Sequence, residues 1–121
     1  MIHAVKLHDA LHDDASVIGR GVLVDRLWPR GVARKDMEWE WLKDAAPSAE
    51  LRKWFDHDPE KWEEFGKRYR AELDEKAGDG DVGKLLEWAE DDLTLLYGAA
   101  DREHNHARVL AGWLTDRINK G

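Results

Sequence analysis

Residues able to do chemistry gather in two segments, Gly21–Gly31 (GVLVDRLWPRG) and Leu93–Ala107 (LTLLYGAADREHNHA). Each opens as a short apolar run and stops abruptly in polar, functional-type side chains. In α/β proteins such runs stop at the carboxyl edge of a parallel sheet, where ligands bind. This reading sends Asp25, Arg26, Arg30, Tyr97, Asp101, His104, Asn105 and His106 toward one cleft. Arginines hold a phosphate or carboxylate by two-point contact, so Arg26 and Arg30 are the expected anion holders. The helix expected after the second segment offers free N–H groups and a positive dipole end to the same anion, with His104 and Asn105 as side-chain donors and Tyr97 and Asp25 completing the ligand set. His106, four residues before Leu110 and seven before Trp113, turns toward the sheet edge. With Asp101 it is the acid–base candidate if chemistry occurs. The alternative is structural: Asp25 or Asp101 pairs with Arg26 or Arg30, and His106 bonds a backbone carbonyl.

Other chemistries find less support. There is no Cys, which excludes disulfides, thiolate zinc sites and cysteine nucleophiles. Ser occurs only at Ser16 and Ser48, and the chain has no Gly-x-Ser-x-Gly, phosphate-loop or Gly-x-Gly-x-x-Gly signature, so no cofactor is expected. His104-Asn105-His106 invites a metal reading, but residues two apart do not share a helix face, and a third ligand such as His57 or Asp101 would be needed. The same letters occur in a nuclease signature whose strand-pair context is missing here. His57, between Asp56 and Asp58, reads as a turn residue.

A formal net charge of −7 argues against general nucleic-acid affinity. It makes a local cluster of Arg26, Arg30, Arg34 and Lys35 stand out as a focused anion site. MIHAVKL has no basic region followed by a long apolar stretch, and no apolar run approaches bilayer length, so neither a signal peptide nor membrane association is expected, and the reading is cytoplasmic. The chain has seven Trp against two Phe and two Tyr, so indoles should do much of the packing.

The 121 residues suit one domain. Strands are expected at Ile2–Leu7, Val22–Leu27 and Leu93–Ala99, and His8–Arg20 reads as a loop. Trp28-Pro29-Arg30-Gly31 ends the second strand in a turn. A short helix is expected over Glu38–Asp44. Ser48 caps a helix carrying Leu51, Trp54 and Phe55. Asp58-Pro59-Glu60 starts a longer one with Trp62, Phe65, Tyr69 and Leu73 on one stripe. Ala77–Asp81 breaks it, and Val82, Leu85, Leu86 and Ala89 mark another. Asp101 is expected to cap a final helix with Ala107, Leu110, Ala111, Leu114 and Ile118 on its core face. The second and third strands need a crossover and are therefore parallel. The fold class is α/β: a small three-layer domain with a short, mainly parallel sheet of about three strands flanked by helices.

The segments LVDRLWPRG, WLKDAAPSAELRKWFDHDPEKWEEFGKRYRAEL and LLYGAADREHNHARVL together resemble the DUF488 family, in its short YeaO-like branch, from about Val22 to Leu114. The resemblance maps the motif onto Asp25–Gly31, onto Trp41, Pro47, Ser48, Leu51, Arg52, Trp54, Phe55, Tyr69 and Leu73, and onto Tyr97, Asp101, His104, Asn105 and His106. It implies a single small α/β domain and supplies no reaction. The chain departs from the family pattern at Leu7-His8-Asp9 and Ile18-Gly19-Arg20-Gly21. Two functions from different classes follow: a binder of an anionic small molecule at the carboxyl edge of the sheet, or a non-catalytic interaction module presenting Trp39, Trp41, Trp54 and Trp62.

Overall fold

Four parallel strands in the order β1-β4-β2-β3 form the central sheet: β1 (Ile2–Lys6), β2 (Arg20–Leu23), β3 (Glu40–Trp41) and β4 (Leu93–Tyr97). These come from a computed structural model that describes residues 1–120. β4 lies between β1 and β2, with Ile2 opposite Leu93 and Val22 opposite Leu95. All five β4 residues are buried, as an apolar run flanked by strands on both sides requires.

The pleat sends alternate residues to two cores. Val22, Val24, Leu93, Leu95 and Tyr97 point to the larger one. It is closed by α2 (Ala49–Phe55), α3 (Trp62–Lys76), α4 (Gly80–Trp88) and α5 (His106–Lys120). Leu23 and Leu96 point to the smaller one, against Leu7 and Ala10 of α1 (Leu7–Leu11). The result is the three-layer α/β arrangement, unequal in its two outer layers.

Capping signals in the sequence are used as the chemistry dictates. The Ser48 hydroxyl accepts from the Leu51 N–H and caps α2. Asp58 accepts from the Glu60 N–H over a one-turn 3₁₀ helix, Pro59–Lys61, that leads into α3. Phe65, Tyr69 and Leu73 form the buried stripe of α3.

Three local expectations are corrected. The segment expected as a helix over Glu38–Asp44 instead supplies β3, followed by a 3₁₀ turn at Lys43–Ala45. Glu38-Trp39-Glu40-Trp41 alternates acid and indole with period two, which fits a pleated surface better than a helix. Trp39 lies against the bare backbone of Gly21, where an added Cβ would come within 2.5 Å of the indole. The expected loop after β1 begins with α1, because Leu7 and Ala10, three apart, are both buried. The final helix starts at His106 and not at Asp101: Asn105 is the cap, its Oδ1 accepting from the Arg108 N–H at 3.1 Å.

Candidate functional site: a cleft at the carboxyl ends of β2 and β4

Two neighbouring strands, β2 and β4, end side by side, and the chain leaving them is tied together by Asp25. Its Oδ2 accepts the Gly98 N–H at 2.8 Å, joining the two strand exits. Its backbone carbonyl accepts from Trp41 Nε1 at 2.6 Å. Gly98 permits this close approach, since a Cβ there would lie 2.8 Å from Asp25 Oδ2. Trp28 packs edge-on against Trp41 and donates to the Val32 carbonyl at 2.7 Å, which holds the Trp28–Gly31 turn. The indole excess of the sequence thus fixes the backbone beside the site.

His106 enters from the first turn of α5. Its Nε2 lies 3.0 Å from the Val24 carbonyl, which can only accept, so this nitrogen carries a proton and donates it. Asp25 Oδ1 lies 3.2 Å from the same Nε2, within ion-pair range. The N–H is directed at the carbonyl, however, and this buried carboxylate oxygen is left without a hydrogen-bond partner.

Beside this pair lies a cleft of about 450 Å³. The β2 exit contributes Asp25, Arg26 and Leu27, the β4 exit Ala99, and the α5 entry His104, Asn105 and His106. The opposite wall comes from α2 and its ends: Pro47, Ala49, Arg52, Lys53, Phe55, Asp56 and His57, with Phe65 of α3 behind. Three cationic side chains, Arg26, Arg52 and Lys53, meet two carboxylates, Asp25 and Asp56, with three imidazoles around them. That balance is the reverse of the chain's own charge of −7. Arg26 reaches Asp44 at 3.3 Å in an exposed pair of little strength. The Arg52 Nε is buried and has no partner. None of the ion pairs among the described residues involves Arg52. Asp56 and His57 both adopt left-handed backbone, at φ 45° and 55°. Neither is glycine, so the turn that ends α2 stores strain at the rim of the cleft.

Five of the residues expected at one cleft are gathered there: Asp25, Arg26, His104, Asn105 and His106. Arg30, Tyr97 and Asp101 lie outside its lining. Arg30 sits on the far side of the Trp28–Gly31 turn, its carbonyl bonded by His8 Nε2 of α1 at 3.3 Å. Tyr97 follows the β4 alternation into the larger core, where burial pushes its phenol pKa up. Asp101 organises the turn before α5. Its Oδ1 accepts the N–H groups of Glu103 and His104, and those bonds hold its carboxyl below the usual range. The buried Asn105 spends both ends of its amide on structure, donating to the Asp101 carbonyl and capping α5.

Arg52, Lys53, Phe55 and Phe65 lie outside the constellation that the sequence suggests, and His57, a turn residue by its sequence context, joins the lining. On a lone amphipathic helix, Arg52 and Lys53 look like solvated charges; only tertiary packing sets α2 across from the strand ends. Among the described residues no group of three or more His, Asp or Glu could hold a metal ion. No described helix is long and apolar enough to cross a membrane.

The family profile described as "Inactive DUF488-N3 subclade" matches residues 1–121. The chain belongs to the DUF488 family. It is 43% identical over 101 residues to "Uncharacterized protein YeaO" of Escherichia coli (strain K12), covering 79% of this chain and 84% of that one. It is 40% identical over 100 residues to "Uncharacterized protein Rv3073c" of Mycobacterium tuberculosis, covering 82% and 83%, and to the same extent to "Uncharacterized protein Mb3100c" of Mycobacterium bovis. No solved structure gives a significant match. The YeaO-like resemblance of the sequence is thus matched by relatives spanning most of the chain, and the α/β domain expected of it is the one observed.

Proposed function

We propose that this DUF488 protein binds a small anionic ligand in the cleft at the carboxyl edge of its sheet, without turning it over. The observation that carries this reading is Arg52: a guanidinium on the cleft wall whose buried Nε has no partner, in a chain that is otherwise acidic. A buried donor left unpaired costs about 1–3 kcal/mol, and an anion that draws the guanidinium toward the cleft would remove that cost. Arg26 and Lys53 supply further positive charge at the rim. The His106 Nε2–H is committed to a backbone carbonyl and Asp101 is committed to the turn before α5. With the "inactive" description of the subclade, this favours binding over acid–base turnover.

The interaction-module reading has less support. Trp39, Trp41, Trp54 and Trp62 are all partly buried, and the exposed large apolar side chains are instead Met1, Ile18, Leu27 and Ile118, scattered along the chain.

The test is a thermal-shift screen of the purified protein against carboxylates, phosphate esters and divalent metals, repeated on Arg52→Gln and Arg26→Gln. A ligand that binds only the folded state raises the melting temperature by mass action. The expected result is a concentration-dependent rise with one class of anion, lost in Arg52→Gln. A rise unaffected by either substitution would move the site elsewhere, and no rise with any anion would remove the proposal.

A further inference from the structure

The charged groups form only part of the cleft; much of the rest is carbon. Phe55 and Phe65 both line it and stack on each other, with ring centroids 4.3 Å apart and planes 20° from parallel. Trp62 packs on both, at 6.0 and 5.7 Å, so the two rings are braced from behind. Leu27 stands at the β2 exit with 68% of its surface exposed, an apolar side chain that the fold does not cover. Arg52, the unpartnered donor, belongs to the same α2 wall as Phe55, three residues earlier and therefore on the same helix face.

A ligand held by Arg52 therefore lays the rest of its body against fixed aromatic rings. A sugar phosphate would find partners only at the polar rim, and any hydroxyl group set against the aromatic wall would lose its hydrogen bond. A flat aromatic body loses no hydrogen bonds there and gains stacked or edge-to-face contact. About 450 Å³ accommodates a body of one or two rings.

Resting on the anion-binding reading above, we propose that the ligand is an aromatic acid. Its carboxylate or phosphate pairs with Arg52, and its ring packs against Phe55 and Phe65 and under Leu27.

Isothermal titration of the full chain with matched probes tests this. Phenylacetate is compared with acetate, and phenyl phosphate with inorganic phosphate and glucose 6-phosphate. The phenyl compound of at least one pair should bind about tenfold or more tightly than its ring-free counterpart, and which pair responds identifies the anion. Arg52→Gln should weaken that binding at least about tenfold. Phe55→Leu keeps an apolar side chain in the core but removes the ring, and should reduce the preference for the phenyl probe. Leu27→Ala, at an exposed position that the fold does not need, should do the same without affecting a ring-free anion. Equal binding of phenyl and ring-free probes, or tighter binding of glucose 6-phosphate, would overturn the aromatic inference while leaving the anion reading intact. No binding of any probe would overturn both.

Discussion

Replacing Asp25 by Ala should loosen the junction on which the cleft is built. In the native protein its Oδ2 accepts the Gly98 N–H at 2.8 Å, a charge-assisted bond between the exits of β2 and β4. Removing the carboxylate leaves that partly buried N–H without a partner, at about 1–3 kcal/mol. An opposing contribution comes from the other oxygen. Oδ1 is buried with no hydrogen-bond partner, and deleting it relieves a desolvation cost. The net loss is therefore expected in the lower part of the range, about 1–2 kcal/mol. A chain of 121 residues unfolds with an entropy of about 0.25 kcal/mol/K, so the melting temperature should fall by about 4–8 °C. Asp25→Asn is the control. Its amide oxygen still accepts the Gly98 N–H, so it should lose less than the Ala variant. Urea and thermal unfolding followed by fluorescence of the seven tryptophans gives both numbers. An Ala variant within about 0.3 kcal/mol of the native protein, a difference too small for a lost charge-assisted bond, would refute the view that this carboxylate joins the two strand exits.

Four further outcomes are expected. Asn105→Ala removes the cap of α5 and the bond to the Asp101 carbonyl, and should cost about 1–2 kcal/mol in urea melts. Gly98→Ala sets a Cβ 2.8 Å from Asp25 Oδ2 and should destabilise by about 1–3 kcal/mol; a neutral result would mean that the carboxylate moves aside freely. Asp56→Gly relieves a left-handed Asp at the end of α2 and should raise stability by about 0.5–1 kcal/mol, measured by the urea midpoint. Asp74 accepts from Trp113 Nε1 and Arg117, and these bonds hold its carboxyl below the ordinary 3.8. A depressed folded-state pKa contributes stability above the unfolded value and loses it as pH falls through the folded one. The deficit of Asp74→Asn should accordingly be full at neutral pH and shrink as pH falls below the ordinary carboxylate value toward the depressed folded-state one, a trend that paired urea melts at pH 7 and pH 3 would show. An undiminished deficit at pH 3 would contradict it.

The sequence makes legible those features that depend on local chemistry. Ser48, Asp58 and the Phe65–Tyr69–Leu73 stripe work through contacts a few residues apart, and they place α2 and α3 correctly. The apolar run of β4 announces a central strand because burial on both faces leaves no polar alternation. The fourth strand leaves little trace in the sequence because β3 has only two residues, Glu40 and Trp41, and exists by pairing with β2 across a long loop. The sequence places the cap of α5 four residues early because Asp101 and Asn105 are both good caps. Asp101 caps the preceding turn, and only the backbone path shows which of the two starts the helix. At the site, the strand-end rule gathered Asp25, Arg26, His104, Asn105 and His106, all of which follow or precede a sheet or helix terminus. It could not supply Arg52, whose place in the cleft depends on how α2 docks. Nor could it show that Tyr97 turns inward, since the face taken by a strand residue depends on register. Arg52 did leave one signal: the resemblance to the family maps a motif position onto it.

The most direct test of the account is a two-dimensional amide NMR titration of the native protein and Arg52→Gln with phenylacetate and inorganic phosphate. Saturable shifts are expected at residues of the cleft, Ala99, Asn105, His106 and the Arg52–His57 stretch, with their loss in Arg52→Gln. Shifts absent from these residues, or unchanged by the substitution, would contradict an anion site built on Arg52.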